Sequence, residues 1–331
     1  MWFTKLMGFN EESAQQVRAN ILLDKNTLHS LVNGNTFIFG QLETPSLGEL
    51  KQRVSALNIE HAKTSIREQI ASAQSLHADT DNTNALFQVA SQFNLLEMIS
   101  PAATPEQGVD GYESDYTQGP ACAVAAGAGT IYRNYFAPVN GKPGQTTENQ
   151  IDCLADIGFL LDNTDNQLWN MTNGYALACE KGLVDITAKL DAASESQLKE
   201  IQHALKIGLQ WNTQVTISES THNVSQAYCS ALPVAYSQQP SDLWEKFAQL
   251  ILNASYEACL CAGILNYHHT GNNKIYLTLI GGGAFGNETD WIMQAIHRAL
   301  DIYKHTGLDI IIVSHNQPNP AVQKLIRDFS V

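Results

Sequence analysis

The alternation of apolar and polar positions is sharpest in the C-terminal third. Ile275 to Ile280 is an apolar run, Gly281 to Asn287 a glycine-rich loop, Glu288 to His305 an amphipathic stretch stopped by Gly307, and Leu308 to Val313 a second apolar run. This pattern predicts strand, loop, helix and strand: a βαβ unit with parallel strands, a right-handed crossover and ligand at the carboxyl ends of the strands. Upstream, Gln226 to Tyr236 predicts one or two buried strands. They are followed by a helix capped at Ser241, with Leu243, Trp244, Phe247, Leu250, Ile251, Ala254 and Ala258 on one face. Leu86 to Phe93 reads as another buried strand, running into a long loop rich in Pro, Gly and acids that lasts to Pro120. Ala121 to Tyr135 is rich in Ala and Gly, which suits one helix pressed closely on a sheet.

Two segments fit this alternation less well. Residues 1–80 combine a strand-like stretch, Asn35 to Gly40, with a polar helical stretch from Ser46 to about Leu76, and read as an N-terminal extension packed on a core formed by 81–331. Residues 138–215 open on the turn signal Asn140-Gly141-Lys142-Pro143-Gly144 and read as a mostly helical insertion.

Composition narrows the function classes. With 331 residues and 44% hydrophobic content, the chain can bury one large core or two modest ones. A net charge of -14, from 33 acids and 19 bases, leaves no basic surface for a nucleic-acid polymer. It leaves room for a nucleotide, because backbone N–H groups at a helix N-terminus hold a pyrophosphate without lysine. The N-terminal segment lacks an apolar core of signal-peptide type, and the richest apolar stretch, Leu250 to Leu265, is interrupted by Asn253, Tyr256 and Glu257, so no membrane association is expected. Six cysteines without a CxxC pair read as reduced, buried thiols of a cytoplasmic protein.

Candidate chemistry gathers in two loops. Gly281-Gly282-Gly283-Ala284-Phe285-Gly286-Asn287 allows close backbone approach to a phosphate, with Asn287 placed to cap the helix that follows. It is neither a Walker A loop nor a GxGxxG fingerprint, and a plain flexible turn is the alternative. Gly108-Val109-Asp110-Gly111-Tyr112-Glu113-Ser114-Asp115 sets three carboxylates within six residues, which raises at least one pKa by mutual repulsion. That suits acid–base work on a glycosidic bond, and solvated surface is the alternative. The histidines show no metal-ligand spacing, and no G-x-S-x-G elbow is present. Cys122, near a helix start, reads as a packing thiol rather than a nucleophile.

Taken in chain order, Gln88 to Asn94, Gly108-Val109-Asp110-Gly111 and Gly283-Ala284-Phe285-Gly286-Asn287 resemble the loops of macrodomains. The whole chain resembles a divergent macrodomain-like branch that includes hydrolases acting on ADP-ribosylated arginine, including on ubiquitin. The resemblance implies a three-layer α/β/α sandwich and an ADP-ribosyl hydrolase whose partner is an ADP-ribosylated protein. It implies no metal and no cofactor beyond ADP-ribose itself as ligand and product. It places Asn94 on the distal ribose with Gln92 among the other ligand contacts, Asp110 on the attacking water, Gly281, Gly282, Gly283, Ala284 and Phe285 around the diphosphate with Phe285 closing over the distal ribose and Gly286 and Asn287 completing the loop, and Asn316 on the adenosine. Glu113 and Asp115, without a counterpart in ordinary macrodomains, are assigned to the ribose diol or to a leaving guanidinium. Thr104-Pro105-Glu106-Gln107 stands where the family has glycines, and 138–215 has no counterpart in minimal macrodomains. A non-catalytic ADP-ribose reader is the alternative reading.

Overall fold

A computed structural model describes residues 1–59 and 61–330. Seven strands form the central sheet: β1 Gln41–Glu43, β2 Ser65–Ile70, β3 Leu86–Ala90, β4 Gly208–Gln214, β5 Asn223–Cys229, β6 Lys274–Leu277 and β7 Asp309–Ser314. Their order across the sheet is β1-β4-β5-β3-β6-β7-β2. The five strands from β5 to β2 are parallel, with Tyr228 opposite Val89, Ile275 opposite Leu86 and Ile310 opposite both Ile275 and Ile66, whereas β4 runs antiparallel to both neighbours. Parallel strands covered on both faces need apolar side chains pointing both ways. Ile310 and Ile312 accordingly join one apolar cluster, and Ile311 joins another with Phe87 and Tyr276.

Helices complete the α/β/α layers. Ten of them, in chain order, are α1 Trp2–Met7, α2 Leu47–Ser55, α3 Ala73–Ala78, α4 Gln118–Ala125, α5 Gly127–Tyr135, α6 Glu180–Ala192, α7 Glu195–His203, α8 Ser241–Thr270, α9 Thr289–Ile302 and α10 Pro320–Ser330, and two short helices, Ala14–Asn20 and Ala155–Leu160, lie outside this numbering. The central member is α8, which packs on α2, α6, α7 and α9 and on three strands. It comes close enough to the sheet that a Cβ at Gly263 would lie 3.0 Å from Ile275 Cδ1. By length and composition α8 could cross a membrane, since an 18-residue window of it has a mean hydropathy of 1.3, but 78% of that window is buried inside the fold. On the other side of the sheet Leu76 of α3 joins the Phe87 and Tyr276 cluster, while α5 approaches β4 at Gly129.

Glu257, fully buried in the middle of α8, needs an explanation in so apolar a helix. Its carboxylate accepts hydrogen bonds from Lys51 of α2, Arg298 of α9 at 2.6 Å and Gln202 of α7 at 3.2 Å, so one side chain ties four helices together. Burial alone would raise its pKa, and the bonds from Lys51 and Arg298 overcome that and hold it below the ordinary value.

Several elements differ from the sequence reading. Residues 1–80 contribute β1 and β2, the two edges of the sheet, and so are part of the core rather than an extension on it. The stretch read as helical from Ser46 to about Leu76 contains α2, the edge strand β2 and the start of α3. The 138–215 segment ends in β4, so its last residues belong to the sheet. The single helix expected over Ala121–Tyr135 breaks at Ala126, where Thr216 donates its N–H to Ala125 O and accepts the Gly127 N–H on its hydroxyl. Pro240 rather than Ser241 occupies the cap position of α8. Cys179 is exposed, while the other five thiols are buried as expected.

Replacing Glu257 by Ala leaves two cations without their shared anion and is expected to cost about 3 kcal/mol in urea unfolding at pH 7. Because the folded-state pKa is lowered, this contribution is fully present above the usual carboxylate value and lost as pH falls from there through the lowered folded-state value, so the gap to wild type narrows below pH ~4.5. A loss under about 1 kcal/mol at pH 7 would show that the network carries little of the fold.

Candidate functional site

All five parallel strands end on one edge of the sheet, and a cleft of about 990 Å³ lies there. Ala71, Ala90, Cys229, Thr278 and His315, each at or one residue past a strand end, form its floor.

The glycine-rich loop makes one wall. Gly281 has φ 77° and Gly286 φ 69°, conformations that favour glycine, and a Cβ at Gly286 would press on Ala235. Asn287 does not cap α9: its side-chain amide donates to Leu232 O at 2.7 Å and fastens the loop to the chain beyond β5, while Glu288 takes the cap position. Gly283, Ala284 and Phe285 line the cleft, and their backbone N–H groups have no hydrogen-bond partner among the described residues. Phe285 packs against Tyr175 and Tyr236, with ring centroids 5.3 and 5.6 Å away. Tyr175 arrives on the hairpin Trp169–Thr172/Tyr175–Ala178 of the insertion and donates its hydroxyl to Met98 O at 2.6 Å. A segment read as an insertion therefore supplies part of the site.

The opposite wall carries carboxylates, and only part of the acidic motif reaches it. Asp115 lines the cleft, with Oδ1 accepting the Thr117 N–H at 2.8 Å and its hydroxyl at 2.7 Å. Glu113 also lines the cleft but accepts the Trp2 N–H at 2.8 Å. Asp110 is 7% exposed, is not among the lining residues and accepts the Phe3 N–H at 3.2 Å. Asp110 and Glu113 thus cap the first turn of α1, a structural use of acids at a helix N-terminus. Burial and then the neighbouring charge of Glu113 raise the Asp110 carboxyl above its usual value. The Val109 and Asp110 N–H groups are taken by the Glu11 carboxylate at 2.9 and 2.7 Å.

The acid that sequence reasoning missed is Glu97. It lines the cleft while only 4% exposed, and its Oε1 has no hydrogen-bond partner. Burial pushes its carboxyl well above the ordinary range, Arg133 pulls it down and Asp115 pushes it up. A single acid inside the run Leu95-Leu96-Glu97-Met98-Ile99 was the available signal, since a lone charge in an apolar run must find a partner or give up its charge.

Other expected contacts are displaced. Asn94 is fully buried and closes a turn, accepting the Leu96 N–H at 3.1 Å and donating to Gln150 at 2.8 Å, because Leu95 adopts φ 64°. Gln92 does line the cleft, and its amide clamps Met98 from both sides, accepting from its N–H at 2.7 Å and donating to its carbonyl at 3.3 Å. Gly281 lines the cleft with Gly283, whereas Gly282 turns toward Ile292. Asn316, with φ 64°, is exposed outside the lining, and its neighbour His315 faces the cleft instead. Cys122 is buried, and burial followed by the charge of Glu97 raises its thiol, which fits packing rather than attack.

No protein-family model matches the chain, and no curated protein matches it significantly. Among solved structures it is similar to poly(ADP-ribose) glycohydrolase from Deinococcus radiodurans in complex with ADP-ribose, at 10% identity and a TM-score of 0.46 over 87% of this chain and 93% of that one. It is also similar to poly(ADP-ribose) glycohydrolase from Thermomonospora curvata bound to the inhibitor ADP-HPD, at 10% identity and a TM-score of 0.44 over 95% of this chain and 97% of that one.

If Asp110 anchors α1, Asp110→Ala is expected to speed hydrogen exchange at the Phe3 amide by roughly tenfold or more, about 1.4 kcal/mol of local opening. Unchanged exchange at Phe3 would show that the anchor lies elsewhere.

Proposed function

We propose that this protein hydrolyses the glycosidic bond that joins ADP-ribose to a protein side chain. The observation that carries the reading is the pairing, across one cleft, of a glycine loop offering unpartnered N–H groups with a wall bearing carboxylates. Backbone N–H groups suit a diphosphate in so acidic a protein, because they supply directed donors without a cationic side chain. The volume of about 990 Å³ is at the upper end for small-molecule sites and accommodates an extended dinucleotide-sized ligand. In this reading the adenosine lies toward His315 and Ala71, the diphosphate on Gly283 to Phe285, and the distal ribose under Phe285. Its anomeric carbon then faces Asp115.

Asp115 takes the water-activating role. Thr117 fixes one of its carboxylate oxygens and leaves the other for a water molecule. Carboxylates at the rim, Glu113 and Asp115, also match a planar cationic guanidinium, which favours arginine as the modified side chain and supports the choice of an arginine-linked substrate such as ADP-ribosylated ubiquitin. Gly283 offers a clean probe, because a Cβ there meets no atom within 4 Å and its backbone conformation accepts a side chain.

Calorimetric titration of ADP-ribose is expected to show saturable binding that Gly283→Glu weakens by about a hundredfold or more, some 2.7 kcal/mol, without lowering the melting temperature. Asp115→Asn is expected to keep ADP-ribose affinity within about tenfold while turnover of arginine-linked ADP-ribose falls at least ~100-fold. Absence of binding at millimolar ADP-ribose contradicts the reading. Release from poly(ADP-ribose) but not from arginine-linked protein contradicts its arginine part alone.

A further inference from the structure

Two glutamates of this chain are buried to a similar degree and are treated in opposite ways. Glu257 is surrounded by Lys51, Arg298 and Gln202, as a structural carboxylate should be. Glu97 has no such company. Arg133, the cation whose charge reaches it, spends its donors on Leu95 O at 3.1 Å, Gln210 at 3.3 Å and Thr130 at 3.0 Å. The guanidinium also lies 3.7 Å from the centre of the Tyr228 ring. No ion pair joins it to Glu97 among the described residues.

The backbone that carries Glu97 is nonetheless held firmly. Its own N–H donates to the Tyr112 hydroxyl at 3.1 Å, and the next residue is gripped by the Gln92 amide. On its other side, the carboxylate rests against the first turn of α4, where a Cβ at Gly119 would overlap it and Ala90 O. A fixed carboxyl group that faces a cleft from a dry wall, without a partner, is costly to keep ionised and is therefore held as the neutral acid.

We propose that Glu97 is the proton donor to the leaving group in the hydrolysis described above, on which this assignment rests. As the bond from the anomeric carbon to the side-chain heteroatom breaks, its electron pair goes to that heteroatom, which takes the proton from Glu97. The water oxygen bonds to the anomeric carbon, and its proton passes to Asp115. The products are ADP-ribose and the unmodified side chain, and the two carboxyls exchange their protons with solvent to restore the resting state. Acid and base thus divide between two carboxyls in different surroundings, one dry and unpartnered, the other hydrogen-bonded near the rim.

The groups facing Glu97 leave the alkaline side of the rate profile with one owner. These are Tyr112 from the turn Asp110–Ser114, Cys122 from α4, Arg133 from α5, Tyr228 from β5, Tyr175 from the hairpin and Asp115. Burial pushes all three tyrosine hydroxyls and the thiol up, away from neutral pH. Activity should therefore fall as pH rises through the raised Glu97 value, because the donor loses its proton.

The test compares wild type with Glu97→Gln on two substrates: arginine-linked ADP-ribose, and ADP-ribosyl p-nitrophenyl ether, whose leaving group departs without a proton. The variant is expected to lose about 100-fold or more in kcat on the first substrate, under tenfold on the second, and the alkaline fall in the rate profile. ADP-ribose binding is expected to stay within threefold. Because the folded-state carboxyl is raised, wild type loses stability as pH climbs above the usual carboxylate value, so the variant should melt no lower than wild type at pH 8. Equal losses on both substrates, or a kcat within threefold of wild type on the first, overturn the assignment and leave the hydrolase reading standing. A wild-type protein that binds ADP-ribose but turns over neither substrate overturns both.

Discussion

Parallel strands cannot be joined by a tight turn, so each must send the chain over a face of the sheet before the next begins. Here α8 takes 30 residues to carry the chain from β5 to β6 across β3, and α9 makes the shorter crossing from β6 to β7. Everything else about the site follows from that constraint. The five carboxyl ends are brought to one edge, their loops stand side by side, and the segments that would otherwise be linkers become walls of a cleft. The apolar faces needed to bury such a sheet also explain why α8 is hydrophobic enough to resemble a membrane span while being a core helix.

Within that frame, the acids of the chain divide by what they touch rather than by where they fall in sequence. Asp110, Glu113 and Glu11 lie at loop and helix ends and accept backbone N–H groups, which stitches the first residues to the loop before α4. Glu257 is neutralised by cations from two helices. Glu97 and Asp115 face the cleft together with Glu113, Glu97 buried and unpartnered and Asp115 hydrogen-bonded at the rim, and in the proposed reaction this difference in surroundings is what divides acid from base.

The C-terminal βαβ unit was legible because its apolar runs are long, its glycines punctuate them and both strands are buried on both faces. The edge strands were not. Ser65–Ile70 mixes exposed and half-buried positions, none fully buried, and carries Arg67, Glu68 and Gln69, so it lacks an apolar signature. Gln41–Glu43 is three residues long. The glycine loop was placed at the end of the right strand, since glycine spacing is a local property. The motif at Gly108 to Asp115 was found but Asp110 was placed on the wrong side of the wall, because the group that claims it, the Phe3 N–H, lies more than a hundred residues away in sequence. Tyr175 and Tyr236 give no sequence signal as site residues, since their meeting with Phe285 depends on a hairpin and a turn folding over the loop.

The central claim is that one ligand spans the cleft from the glycine loop to the acid wall. A crystal structure of the ADP-ribose complex tests it most directly. The account predicts the diphosphate within hydrogen-bonding distance of the Gly283 and Ala284 N–H groups and the anomeric carbon turned toward Glu97 and Asp115. A diphosphate bound away from this loop, or an anomeric carbon pointing away from both carboxyls, would contradict it.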